Sequence, residues 1–177
     1  MRADVMESVE NYVDEVWEDV VSDIASLVAY PSVADASAAE PGAPFGRPVR
    51  DALDCSLGIA ERLGYEVTDD DGYVGIADIP GECEEQIATI AHVDVVPAGP
   101  GWNTDPFSME RREGWLLGRG VIDDKGPAVL SLYAGAFFLR EGITPRYTFR
   151  ALLGCDEEVG MTDVKHYLAG HEQPLFL

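Results

Sequence analysis

Longer segments with helical periodicity alternate along the chain with short apolar segments typical of buried strands. Apolar residues recur at helical spacing over residues 4–30, 49–63 and 126–140. Strand-like apolar segments occupy residues 86–92 and 146–154. Alternation of this kind predicts an α/β fold in which helices flank a mostly parallel sheet.

Shorter patterns complete the predicted secondary structure. The sequences "YEV" and "YVGIADI", on either side of "DDDG", predict two strands joined by a turn. A short strand is expected near "GWLLG", and residues 162–170 predict a short helix. Since no internal repeat or linker divides the chain, residues 1–177 are expected to form a single domain.

The composition argues against several classes of partner and location. With 33 acidic and 12 basic residues, the net charge of −21 disfavours binding to nucleic acid or to anionic membranes. No segment approaches the roughly 20 apolar residues of a membrane span, and the charged first ten residues do not resemble a signal peptide. The cysteines at 55, 83 and 155 predict no disulfide framework. We therefore expect a cytoplasmic protein.

Three polar motifs lie where an α/β fold gathers its functional residues. "HVD", with His92 and Asp94, ends one apolar strand, and "DEE", with Glu157 and Glu158, follows another. "GRGVIDDKG", which contains Asp123, precedes a helix. Because sites in such folds lie outside the carboxyl ends of the strands, we expect one crevice to gather all three motifs.

Each motif also has an ordinary structural interpretation. The histidine could be a hydrogen-bonded core residue, "DD" a helix N-cap and "DEE" a solvated turn. However, several carboxylates in one crevice oppose one another's ionisation unless a cation is present. His92 adds a nitrogen ligand, which favours zinc, cobalt or manganese over calcium or magnesium. The spacing alone leaves both interpretations open.

Together the three motifs resemble the N-terminal signatures of the co-catalytic zinc metallopeptidases. This family includes aminoacylases, glutamate-releasing carboxypeptidases and dipeptidases. The sequences "HVDVVPAGPGW", "GRGVIDDKGP" and "DEEVG" carry the resemblance. The sequences "PFG" at residues 44–46, "VVPAG" and "DDKGP" are similar to the peptidase V, or carnosinase-like Xaa-His dipeptidase, branch in particular.

The resemblance implies a role for each motif residue. His92, Asp123 and Glu158 would bind two zinc ions, with cobalt or manganese as substitutes, and Asp123 would bridge them. Asp94 would hydrogen-bond the imidazole of His92, and Glu157 would act as the general base. The peptide bond after Asp123 would be cis. The implied reaction is amide hydrolysis by water activated between the two metals.

The family pattern also sets expectations about what the chain lacks. The family uses five metal-binding side chains, and these motifs supply three. His166 and His171 match no family ligand, so we assign them to the surface. We therefore expect an N-terminal portion of the catalytic domain that is truncated at its C-terminus, lacks the smaller lid or dimerisation domain, and is inactive by itself.

Three functions remain open at this point. The first is a dipeptidase that acts on Xaa-His or a broader range of small peptides. The second is a deacylase of N-acyl amino acids with the same metal centre. The third is a non-catalytic protein, either a partial metal site or a remnant used for interaction. The motifs determine neither the substrate nor the oligomeric state.

Overall fold

The computed structural model describes residues 3–177 and confirms the α/β class. Its helices are α1 (Ala3–Val28), α2 (Arg47–Arg62), α3 (Lys125–Arg140) and α4 (Thr162–Gly170), with a 3-10 turn at Ala36–Ala38. Its strands are β1 (Glu66–Asp70), β2 (Val74–Ile79), β3 (Cys83–His92), β4 (Glu110–Arg112), β5 (Trp115–Leu117) and β6 (Tyr147–Gly154). The strand expected near "GWLLG" is β5, and it pairs with β4, which the sequence did not predict.

Four strands form the main sheet, in the order β1-β2-β6-β3. β3 and β6 run parallel, but β1 with β2 and β2 with β6 are antiparallel. The prediction of a mostly parallel sheet is therefore wrong in this respect, and the described sheet is mixed. The tight turn at Asp71 and Gly72, whose φ angles of 54° and 75° suit an Asp-Gly hairpin turn, makes β1 and β2 antiparallel. The second antiparallel pair arises because β2 lies next to β6 and not next to β3, which follows it in the chain.

The helices cover both faces of this sheet, as the sequence predicts. Side chains alternate across a strand, so Ala151 and Leu153 of β6 face the core formed with α1, α2 and α3. Leu152 points to the opposite face, where it packs in a smaller cluster with Tyr167 of α4. Within residues 3–177, no helix combines the length and hydrophobicity that crossing a membrane requires.

The parallel pair β3 and β6 determines where the polar motifs meet. His92, at the end of β3, is in register with Gly154, at the end of β6. The backbone N–H of Val93 donates to the carbonyl of Gly154 at 2.8 Å, which holds the two strand ends together. The "HVD" and "DEE" segments therefore emerge side by side at the carboxyl ends of these two strands.

Candidate metal centre

His92 is held with one ring nitrogen toward the protein and the other toward a cleft. Its side chain is 7% exposed. Nδ1 lies 3.0 Å from the backbone carbonyl of Asp94 and 3.2 Å from Oδ1 of the same residue. Nε2 lies 3.1 Å from Oδ1 of Asp123 and 3.8 Å from Oε2 of Glu157. Nε2 is thus the nitrogen that is available to a ligand in the cleft.

The carboxylate of Asp94 links the first motif to the third. Asp94 is fully buried, and its two oxygens accept hydrogen bonds from the backbone N–H groups of Glu157 and Glu158, at 3.2 and 3.1 Å. Because Oδ1 also faces His92, one side chain orients both the imidazole and the "DEE" backbone.

Asp123 enters the cleft from the loop that precedes α3. The peptide bond between Asp123 and Asp124 is cis, as the resemblance implies. Next to it, the fully buried Lys125 donates hydrogen bonds to the backbone carbonyls of Leu27 and Tyr30, at 3.0 and 2.6 Å. The loop is thereby anchored to the C-terminal end of α1, where a cation is favourable.

Burial and neighbouring charges shift the pKa values of His92, Asp124 and Glu158. Burial lowers the pKa of His92, but the hydrogen bonds of Asp94 and Asp123 and the charges of Asp94 and Asp124 outweigh it and raise that pKa to about 9. Burial, together with the charge of Asp123, raises the pKa of Asp124 and of Glu158. A divalent cation would relieve this crowding of negative charge.

The residues present fit a transition metal. One ligand atom from each of His92, Glu157 and Glu158 can be chosen so that all three lie within 4.8 Å of one another. The cleft that His92, Asp123 and Glu157 line has a volume of about 370 Å³. Imidazole nitrogen combined with carboxylate oxygen is a donor set that suits zinc, cobalt or manganese. The structure therefore brings together the five predicted site residues, although their individual roles remain predictions.

Comparison with known proteins identifies the family. Residues 88–176 match the family model described as peptidase family M20/M25/M40. YtjP of Bacillus subtilis (strain 168) is 38% identical over 157 residues, which cover 89% of this chain and 34% of that protein. The chain belongs to the M20/M25/M40 peptidase family. The resemblance predicted from the three motifs is confirmed.

One further relative and two solved structures are also similar to this M20 chain. The Beta-Ala-Xaa dipeptidase of Lactobacillus delbrueckii subsp. lactis is 36% identical over 157 residues, 88% of this chain and 33% of its own length. Among solved structures, human carnosine dipeptidase 1 has a TM-score of 0.75 at 23% identity, covering 93% of this chain and 37% of that one. Dug1p of Saccharomyces cerevisiae has a TM-score of 0.76 at 20% identity, covering 92% and 37%. The chain thus spans about a third of the length of the curated relatives it matches.

The sequence patterns of this M20 chain did not identify one residue that supports the cleft, Asp163. Asp163, which is 1% exposed, accepts hydrogen bonds from the backbone N–H groups of Cys155 and Asp156, at 2.7 and 2.9 Å. It therefore fixes the start of the "DEE" segment from the first turn of α4. An acidic residue in a helical first turn is common, so nothing in its local sequence singled it out.

The two histidines outside the motifs do not lie in the cleft of the M20 site. His166 and His171 were expected at the surface, and that expectation is confirmed in part. Their side chains are 31% and 29% exposed, and both imidazoles face Asp70. They belong to a separate cluster beside β1, three strand positions away from β3.

Proposed function

We propose that the chain is part of a metal-dependent dipeptidase that hydrolyses small peptides at a dinuclear zinc centre. The observation that carries the proposal is the convergence of His92, Asp123, Glu157 and Glu158 on one cleft in a chain of the M20 family. Imidazole and carboxylate groups gathered in this way are the usual ligands and general bases of metal-assisted amide hydrolysis.

Three side chains would hold the metal, and a fourth would orient one of the three, His92. His92, Asp123 and Glu158 would be the ligands, while Asp94 keeps Nε2 of His92 turned toward the cleft through its contact with Nδ1. When bound, zinc would polarise the scissile carbonyl and lower the pKa of water. Cobalt and manganese are alternatives with the same ligand preferences.

Glu157 would move the proton. Its side chain is 48% exposed and reaches to 3.8 Å from Nε2 of His92, so it lies in the cleft and remains open to solvent. Its backbone N–H donates a hydrogen bond to the buried carboxylate of Asp94. This bond limits movement of the Glu157 backbone, and so of the Cα atom that carries the side chain. In this position Glu157 would take a proton from the attacking water and deliver it to the leaving amine.

The proposed substrate is a dipeptide, including those with C-terminal histidine. Two comparisons support this choice: the 36% identical relative is named Beta-Ala-Xaa dipeptidase, and a chain of similar fold is human carnosine dipeptidase 1. A deacylase of N-acyl amino acids would use the same metal ligands, so the substrate assay has to include both classes.

A chimeric enzyme can test the proposal. Residues 1–177 would be joined to the C-terminal two thirds of the Lactobacillus delbrueckii dipeptidase and assayed with β-alanyl-histidine, alanyl-histidine and N-acetyl-histidine. We expect chelator-sensitive hydrolysis of the two dipeptides that zinc restores. Selective hydrolysis of N-acetyl-histidine would instead indicate a deacylase.

Ligand variants of the chimera test the metal assignment separately. His92→Ala and Asp123→Ala should abolish both activity and tight zinc binding, as measured by elemental analysis after dialysis. Asp105→Ala is the control, because Asp105 is an exposed loop residue that accepts one backbone hydrogen bond outside the cleft. Two tightly bound zinc ions in either ligand variant would contradict the assignment.

A further inference from the structure

A second group of histidines and carboxylates lies beside β1, the outer strand on the opposite side of the sheet from β3. Asp70 ends β1 and Asp71 follows it in the turn, while His166 lies in α4 and His171 caps its C-terminus. β1 and β3 are three strand positions apart, which is about 14 Å at about 4.8 Å for each spacing. The group, here called the β1–α4 cluster, is therefore distinct from the His92 cleft.

The distances within the cluster match those around a small metal ion. Nε2 of His166 lies 3.5 Å from Oδ1 of Asp70 and 3.9 Å from Oδ2 of Asp71. One ligand atom from each of these residues can be chosen with all three within 4.8 Å of one another. A tetrahedral zinc with bonds of about 2.0–2.1 Å separates neighbouring ligand atoms by about 3.3–3.4 Å. Small side-chain rotations would thus bring the three atoms to ligand spacing.

Aromatic stacking holds both imidazoles in place. The ring of His166 stacks on Tyr73 with centroids 4.2 Å apart and planes inclined by 5°. The ring of His171 stacks on Tyr167 at 4.5 Å and 11°. Both arrangements direct Nε2 toward Asp70, whose other oxygen, Oδ2, lies 3.2 Å from Nε2 of His171. The ring orientations therefore do not depend on a bound ion, and such preorganisation favours binding.

Charge also favours a cation at this cluster. The neighbouring Asp69 forms an ion pair with the guanidinium of Arg50. Among the described residues, the ion-pair partners of Asp70 and Asp71 are the histidines His166 and His171. With neutral imidazoles, the cluster carries the charge of two carboxylates. Two oxygen donors and one imidazole nitrogen favour a transition metal over calcium or magnesium.

We propose that Asp70, Asp71 and His166 form a second site for a divalent transition metal, with zinc as the preferred ion. His171 would act as a positioning residue, because its Nε2–H donates to Asp70 and keeps the opposite oxygen of that carboxylate toward the metal. The bound ion would join the β1–β2 turn to α4. This site goes beyond the proposed function and does not depend on it.

The protonation states of the imidazoles give a direct test. The chain contains three histidines, so long-range ¹H–¹⁵N spectra of residues 1–177 resolve each imidazole during a titration with zinc chloride. We expect the Nε2 signal of His166 to move to the position of a metal-bound nitrogen, with the ring proton on Nδ1. His171 should keep its proton on Nε2. An unchanged His166 at saturating zinc, while His92 responds, would overturn the proposal and leave a hydrogen-bonded clamp without metal.

Matched variants separate ligation from structure. His166→Phe keeps an aromatic ring against Tyr73 but removes the ligand, so it should bind one zinc fewer per chain than the wild type in equilibrium dialysis. Asp71→Asn should weaken zinc binding at this site by at least about tenfold. Glu172→Gln removes one exposed charge beside His171 and should change the affinity less than twofold. Equal zinc content in wild type and His166→Phe would overturn the proposal.

Discussion

The buried carboxylate of Asp94 accepts a hydrogen bond from the backbone N–H of Glu157 at 3.2 Å, across the ends of two parallel strands. Its second oxygen accepts the N–H of Glu158 at 3.1 Å, and the first also faces Nδ1 of His92. The orientation of the imidazole and of the glutamates therefore depends on one side chain that itself lies outside the cleft.

Asp94→Asn should disturb this link although the side chain keeps its size. The amide would turn an N–H group toward one of the two backbone donors, at Glu157 or Glu158, and leave a buried polar group unsatisfied. We expect the free energy of unfolding to fall by about 1–3 kcal/mol and zinc affinity to weaken by about 10–100-fold. Urea denaturation and zinc competition titration would measure the two effects. Equal losses in the exposed control Asp105→Asn would contradict this account.

The position of the candidate metal centre follows from local sequence to a large extent. The apolar run before His92 ends in polar residues, Asp123 precedes a helix, and Glu157 follows a second strand. In an α/β fold these positions converge at the carboxyl ends of strands. The parallel register that pairs His92 with Gly154 then brings the motifs together.

Long-range contacts account for what the sequence did not predict. The direction of β2 relative to β6 depends on which strand it pairs with, and a period-2 pattern contains no such information. The buried hydrogen bonds of Lys125 join residues 95 or more positions apart in the chain. Likewise, His166 faces Asp70 only because α4 folds back over the turn after β1.

Glu157→Gln and Glu158→Gln should give different phenotypes in the chimeric enzyme. Loss of the proposed general base at Glu157 should lower kcat by about 10²–10⁴-fold, while both metals stay bound. Loss of a carboxylate ligand at Glu158 should instead reduce the zinc content after dialysis. Steady-state kinetics and elemental analysis on the same preparations distinguish these outcomes. If the phenotypes were reversed, the roles of the two glutamates would have to be exchanged.

Two helical glycines should respond to alanine in opposite directions. A Cβ at Gly135 of α3 would lie 2.1 Å from the hydroxyl oxygen of Tyr65 and 2.4 Å from Phe149. Because such overpacking typically costs about 1–3 kcal/mol, Gly135→Ala should destabilise the fold. Nothing lies within 4 Å of a Cβ at Gly58 in α2, so Gly58→Ala should stabilise by about 0.5–1 kcal/mol through helix propensity. Thermal unfolding of both variants would test the packing of α3 on the sheet.

Residues 1–177 by themselves should not hydrolyse dipeptides. Among the described residues, the cleft offers His92, Asp123 and Glu158 as the metal ligands that the family resemblance implies, where the family uses five. The side chain of Asp123 is 69% exposed and that of Glu157 is 48% exposed, so water would screen the charges that have to act on a substrate.

The assay uses the purified chain with excess zinc or manganese and β-alanyl-histidine, beside the chimeric enzyme at equal concentration. We expect no chelator-sensitive turnover from the chain alone even when zinc is bound, because the remaining ligands are needed to place two metals around one water. Turnover comparable to that of the chimera would show that residues 1–177 suffice for catalysis.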